Sequence, residues 1–246
     1  MPEGSAGVGV IGINVCGAGR FRAEFIAAGF GGRRVLVSAA MLKRVLVTGV
    51  MMAGALFARA EGRALKADTE AAVFEPVTRW EFAYESGALW RVGGGGSQLD
   101  YVILPQMLTW KTPEVTRWTV GGRDLVLRSR FSVLLEPFAK GPESHFVGGA
   151  AGGLLEWWDA RRTQALFFSA GGGVGLMDSK GYDVAGAQGQ DFNFNWFTYA
   201  GSRWQWSEGM SVVVGVYFQH ISNRGQDKVN PGINSVGPIV NVGWGF

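Results

Sequence analysis

From Thr78 to the C-terminus, apolar residues recur at every second position in runs of about ten residues, and no amphipathic helix of useful length interrupts them. Eight such runs can be marked, at 78–90, 99–110, 118–136, 144–158, 164–177, 190–206, 210–222 and 234–246. The connections between them alternate: 111–117, 159–163 and 207–209 are tight, whereas 91–98, 178–189 and 223–233 are longer and Gly-rich, with 137–143 the shortest on that side. Short turns at one end and longer loops at the other, with both termini on the short-turn side, are the habit of outer-membrane barrels. The pattern therefore predicts an all-β fold, an eight-stranded antiparallel transmembrane β-barrel spanning 78–246.

Which face of each strand meets lipid can be read from the last run, PIVNVGWGF. Val240, Val242, Trp244 and Phe246 share one face, while Asn241, Gly243 and Gly245 share the other. An apolar outside and a polar inside invert the soluble pattern. Along 125–136, Leu125, Leu127, Phe131, Val133 and Leu135 fall on the lipid face, and Arg128, Arg130 and Glu136 point inward, where Glu81, Glu85 and Glu156 are their candidate partners. A soluble barrel such as a lipocalin could carry the same Arg-rich face outward, so charge alone does not choose. The tryptophans weigh more: Trp80, Trp90, Trp110, Trp118, Trp157, Trp158, Trp204, Trp206 and Trp244 fall near predicted strand ends, where interfacial aromatic girdles belong.

Upstream of the barrel the chain reads as a delivery signal. MLKRVLVTGVMMAGALFARA, residues 41–60, has a basic start at Lys43 and Arg44, an apolar core from Val45 to Phe57, and the small-x-small site Ala58-Arg59-Ala60. A cleavable signal peptide fits better than a membrane anchor, since the apolar run is shorter than the ~20 residues a spanning helix needs. Residues 1–40 are then expected to be a misassigned extension ahead of a true start at Met41, and 61–77 a periplasmic lead-in. Without 1–60, 16 Lys and Arg face 18 Asp and Glu, a net charge of −2 where the full chain has +3. The basic balance that would have suggested a nucleic-acid partner thus belongs to the leader. Cys16, the one cysteine, goes with it, which leaves no thiol chemistry.

Candidate chemistry rests on two histidines. His145 stands beside Glu143 and Ser144 at a loop–strand junction and reads as an ordinary loop-edge residue. His220 has Ser222 two positions on, so both side chains share one face at the outer end of the seventh strand. That face carries Val212, Val214, Val216 and Phe218, and it points to lipid. Acyl transfer needs a hydroxyl, a base, a group that orients the base, and donors for an oxyanion. A symmetric hairpin at 223–233 would set 222 opposite 234 and 220 opposite 236, making Asn234 the nearest orienter, with Asn223 and the Gly225 amide as oxyanion donors. A pair of polar residues where a strand leaves the membrane would look the same from spacing alone.

QHISNRGQDKVNPGIN resembles the His-x-Ser-Asn-x-Gly segment and the following Asn-x-Gly-Ile turn of PagL-type lipid A 3-O-deacylases, also called acyloxyacyl hydrolase family proteins. GGGVG at 171–175, GQGQDFNFNW at 187–196 and the terminal Phe246 extend the likeness over most of 78–246. The resemblance implies a Gram-negative outer-membrane enzyme that cleaves an ester-linked acyl chain from lipid A, with Ser222 as nucleophile, His220 as base, and Asn223 and Gly225 as oxyanion donors. It also implies a Glu as third member, and here the residue is Asn234. An amide accepts the imidazole N–H but cannot neutralise the imidazolium.

Two functions stay open: an esterase acting on lipopolysaccharide of the outer leaflet, or an inactive barrel of the same fold that binds lipid or stiffens the membrane. A pore is disfavoured because eight strands enclose room only for side chains. No cofactor is expected, and no His or Cys spacing suits a metal. Asp178, Asp183 and Asp191 lack the regular spacing of a calcium loop and read as a solvated loop. The remaining expected partner is the outer-membrane assembly machinery, met through the C-terminal strand.

Overall fold

Alternation of the kind seen in PIVNVGWGF can satisfy every backbone group in a membrane only if the sheet closes on itself. The computed structural model, which describes residues 77–93, 96–207 and 209–246, has this closure. The expected extension at 1–40, the leader at 41–60 and all of the lead-in but Val77 lie outside the described residues. The strands are β1 (Glu81–Gly87), β2 (Leu89–Arg91), β3 (Val102–Ile103), β4 (Gln106–Lys111), β5 (Thr116–Val120), β6 (Arg123–Lys140), β7 (His145–Trp158), β8 (Gln164–Met177), β9 (Phe192–Ser207), β10 (Met210–Ser222) and β11 (Ile233–Gly245). Short segments join end to end: β1 with β2 form the first stave, and β3, β4 and β5 the second. The result is a ring of 8 antiparallel strands. It is closed by β1 on β11, from Glu81 opposite Gly245 to Gly87 opposite Ile239.

One boundary differs from expectation. The chain does not turn at 111–117 but continues, and the run expected at 118–136 contains the turn itself. Gly121 and Gly122 have φ of 59° and 74°, the left-handed pair that a two-residue hairpin demands. Around Pro113 the ladder is interrupted and then resumes, with Thr112 N–H donating to Ser129 O (3.0 Å) and Val115 N–H to Leu127 O (2.8 Å). Periodicity ran on into the next strand and hid a turn that only two residues make.

The inside is filled. At the end carrying the C-terminus, Glu81 binds Lys111 (2.6 Å), Arg128 (3.3 Å) and Arg203 (2.6 Å), while Glu156 binds Arg203 (2.9 Å) and Arg128 (3.7 Å). Glu85 meets Arg130 at 3.0 Å. Arg128, Arg130, Glu81, Glu85 and Glu156 therefore pair as their alternation suggested; Lys111 joins them from the position opposite Glu81 on β4, and Arg203 from β9. Toward the other end the filling becomes aromatic and aliphatic, with Phe167, Phe197, Tyr199, Tyr217, Leu134 and Ile221 buried together. A void of about 10 Å³ bordered by Glu85, Lys111, Arg130 and Arg203 holds no more than a water.

Outside, the expected lipid face is exposed: Phe131, Val133, Leu135, Val214, Val216 and Val240 all point outward. Trp80, Trp110, Trp118, Trp157 and Trp244 stand exposed at the turn end and Trp90 at the loop end. Trp158 departs from the girdle, since it points inward at 1% exposure with the Arg203 guanidinium over its ring at 5.2 Å. Consecutive strand residues face opposite ways, so Trp157 and Trp158 could not both have met lipid.

Candidate active site

β10 carries its apolar stripe outward to its last turnings, where His220 and Ser222 follow Phe218 on the same face. His220 lies directly opposite Asn234 on β11 and opposite Trp196 on β9. The register is thus two residues away from that of a symmetric hairpin at 223–233. The β10–β11 ladder ends at Ile221 opposite Ile233, both buried in the lumen, and the loop beyond it needs left-handed backbone at Arg224, Gly225 and Gly232. This shift brings Asn234 beside the imidazole. The Asn234 carbonyl in turn accepts Val92 N–H at 2.9 Å, which ties β11 to the first stave at this level.

The three side chains form one line. His220 Nδ1 is 2.6 Å from Asn234 Oδ1, and His220 Nε2 is 3.0 Å from Ser222 Oγ. With the Nδ1 proton donated to the amide oxygen, Nε2 keeps the lone pair that accepts the serine proton. That is the tautomer a general base needs. Gly232 closes over the ring: at φ 69° it presents no side chain, and a Cβ there would sit 3.0 Å from His220 Cε1.

Beside the pair opens a groove of about 500 Å³ on the outer wall, lined by Gly172, Phe194, Trp196, His220, Ser222 and Arg224. Gly172 faces outward where a side chain would fill the floor. Arg224 holds its guanidinium over the Phe194 ring at 5.1 Å. Trp196 stacks at a tilt on both Phe218 (5.0 Å) and His220 (5.8 Å). Trp196, Phe194 and Gly232 lie in the segments that carry the family likeness but have no role legible there; the outward alternation of FNFNW was the available signal for the first two.

The loop after Ser222 is pinned. Asn223 N–H donates to Asn230 Oδ1 (3.0 Å), Asn223 Nδ2 to Val229 O (3.0 Å), and Gly225 N–H to Asn223 Oδ1 (2.9 Å). The donors expected at an oxyanion are thus engaged with the loop in this structure. Asp227 braces it by accepting from Val229 N–H (2.7 Å) and the Tyr182 hydroxyl (2.8 Å), contacts that hold its carboxyl below the usual range.

A second Ser–His group, this one with an Asp, occurs at the loop end of β7. Ser144 Oγ lies 2.8 Å and Asp178 Oδ1 3.5 Å from the same atom, His145 Nδ1. Asp178 also accepts Ser144 N–H at 2.7 Å, and Asp191 accepts from Ser179 N–H and hydroxyl at 3.0 and 2.7 Å. Two of the three loop carboxylates are therefore occupied with backbone capping.

A closed barrel with serine, histidine and an amide in line on its lipid-facing wall defines a class: a membrane barrel that carries a Ser–His–Asn line outside its lumen. The sequence profile described as Lipid A 3-O-deacylase (PagL) matches residues 108–243, more than half of the chain. The chain belongs to that family, and it is an outer-membrane protein of Gram-negative type. Among solved structures, one described as the crystal structure of the outer membrane enzyme PagL is similar at 20% identity and a TM-score of 0.49, covering 65% of this chain and 97% of that one. No curated protein matches the sequence.

Proposed function

We propose that this barrel hydrolyses an ester-linked acyl chain of lipid A in the outer leaflet, using Ser222 as nucleophile, His220 as base and Asn234 as the group that orients the base. The observation that carries this reading is the pair of contacts on opposite nitrogens of one ring, Ser222 on Nε2 and Asn234 on Nδ1, at the lipid-facing end of β10. Ser222 Oγ attacks the ester carbonyl as His220 Nε2 takes its proton. The imidazolium then returns that proton to the departing sugar oxygen, leaving an acyl-serine. Water, deprotonated by the same nitrogen, releases the fatty acid and restores Ser222.

The oxyanion needs donors within hydrogen-bond reach. Gly225 stands in open space, where an added Cβ would touch nothing within 4 Å. Its N–H exchanges the Asn223 oxygen for the developing oxyanion, and Asn223 Nδ2 supplies the second donor by leaving Val229 O; catalytic contacts commonly tighten only in the substrate complex. The groove over Gly172 and Phe194 receives the acyl chain. Export through the leader at 41–60, a mature start at Glu61, and insertion by the assembly machinery through the C-terminal strand belong to the same reading.

The test is purified barrel in detergent with lipid A, read by mass spectrometry for released hydroxy fatty acid. Release that disappears in Ser222→Ala is the expected result. If wild type and Asn234→Glu are both silent while the barrel still shows heat-modifiable migration, the esterase reading fails, and a lipid-binding or structural barrel takes its place.

A further inference from the structure

Asn234 supplies only half of what a triad carboxylate supplies. It holds the ring at 2.6 Å, yet it is neutral, and the reaction places a full positive charge on His220 at the lipid boundary, where an uncompensated charge is costly. The neighbours of the ring are Asn234 on the β11 side, Phe218 and Ser222 along β10, Gly232 above, and Trp196 on β9. None of these carries a negative charge. Arg224, the one charged residue lining the groove among the described residues, is itself a cation.

Trp196 offers electron density instead. Its ring centroid lies 5.8 Å from that of His220, and the two ring planes are inclined at 33°. A cation is attracted to an aromatic face at up to about 6 Å, most strongly by Trp and most where water is excluded. The Phe218 ring lies 5.0 Å from the indole, and the register of β9 on β10 sets Trp196 opposite His220 with no loop in between. We infer that the Trp196 indole takes over the electrostatic share of the missing carboxylate: it stabilises the His220 imidazolium, while Asn234 orients the ring. Trp196 is thus a positioning residue acting through His220. The kinetic side of this inference rests on the esterase reading above.

The experiment replaces Trp196 alone with tryptophans carrying one to four ring fluorines, which keep the shape and progressively withdraw the π density. Stepwise loss of kcat at constant KM is expected, and Trp196→Leu should lower kcat about three- to thirtyfold. In the Asn234→Glu background the same series should flatten, because a carboxylate then carries the charge. A flat series, a change confined to KM, or equal sensitivity in both backgrounds overturns the inference. Heat-modifiable migration confirms that each variant is folded. A readout without turnover separates the two readings: the His220 ring protons, followed by NMR in micelles, should titrate at lower pH in Trp196→Leu than in wild type. Coincident titrations overturn the role of Trp196 even if the enzyme is active. A displaced titration in an enzyme that releases no acyl chain supports it and overturns the esterase reading instead.

Discussion

Two Ser–His groups sit at the loop end of this barrel, and the one with the acid is the worse candidate for catalysis. Around His145, the Ser144 hydroxyl and the Asp178 carboxylate crowd one nitrogen, Nδ1, at 2.8 and 3.5 Å. Around His220, Ser222 and Asn234 take opposite nitrogens. Only the second arrangement lets a proton leave the serine through one side of the ring while the other side is held. The surroundings differ in the same sense. His145 is exposed in a loop junction, whereas His220 is covered by Gly232 and Trp196 and opens on a groove in the lipid-facing wall. Charge on the third residue strengthens a triad, but a line through the ring is what makes one.

The largest contrast comes from deleting each group. Ser222→Ala or His220→Ala should reduce acyl release by at least about 10³-fold, as loss of nucleophile or base does elsewhere. Ser144→Ala and His145→Ala should leave it within about twofold, since neither touches the reacting atoms. Initial rates of fatty-acid release on folded variants check both. Loss of activity in His145→Ala at intact fold would dissolve the comparison. The next effect is a gain: Asn234→Glu adds charge where the geometry is already right, and turnover should rise about ten- to a hundredfold. In a serine protease an acid-to-amide change costs ~10⁴, but much of that is the wrong tautomer, which Asn234 Oδ1 facing Nδ1 already avoids.

The sequence exposed the fold because strand periodicity and membrane inversion leave marks at every second residue. It exposed Ser222 and His220 for the same reason, as neighbours on one face of one strand. What it concealed depends on pairing between strands. The register of β10 on β11 was set by a loop with three left-handed residues, so the opposition of His220 and Asn234 could not be counted from hairpin symmetry. Lys111 was hidden because its place opposite Glu81 depends on the register of β1 on β4, and Arg203 because it reaches Glu81 from a strand that does not pair with β1. Trp158 was misplaced by proximity to a strand end, although the parity of Trp157 already excluded it from lipid. Trp196 went unnoticed because its significance lies in facing His220 across the sheet, a relation no single strand contains.

A smaller effect probes the cover over the ring. Gly232→Ala introduces a Cβ 3.0 Å from His220 Cε1 and forces a side chain into φ 69°, where glycine alone is at ease. The imidazole must tilt away from either Ser222 or Asn234. kcat should fall about tenfold with KM nearly constant, and Asn234→Glu should recover only part of it. Equal loss of kcat and of barrel stability would assign Gly232 to the loop rather than to the ring.

The smallest effect is a pH step confined to the His145 group. Partial burial pushes the Asp178 carboxyl upward, but the Ser144 N–H and hydroxyl and the His145 N–H outweigh it and hold the group below its ordinary value of 3.8. A carboxyl depressed by folding contributes its full anchoring above the unfolded value and loses it as the pH falls through the folded one. The Ser144 amide, which donates to Asp178 at 2.7 Å, should therefore be protected from hydrogen exchange at pH 5 to about 7 and lose several-fold protection only below 3.8. Asp178→Asn keeps an acceptor oxygen and removes the titration, so the step should vanish while amides of the β10–β11 ladder exchange as before. Protection at Ser144 that is the same at about pH 3 and pH 6 would show that the carboxylate charge does not anchor this loop. The group would then differ from the His220 line in having neither through-ring geometry nor an electrostatic task.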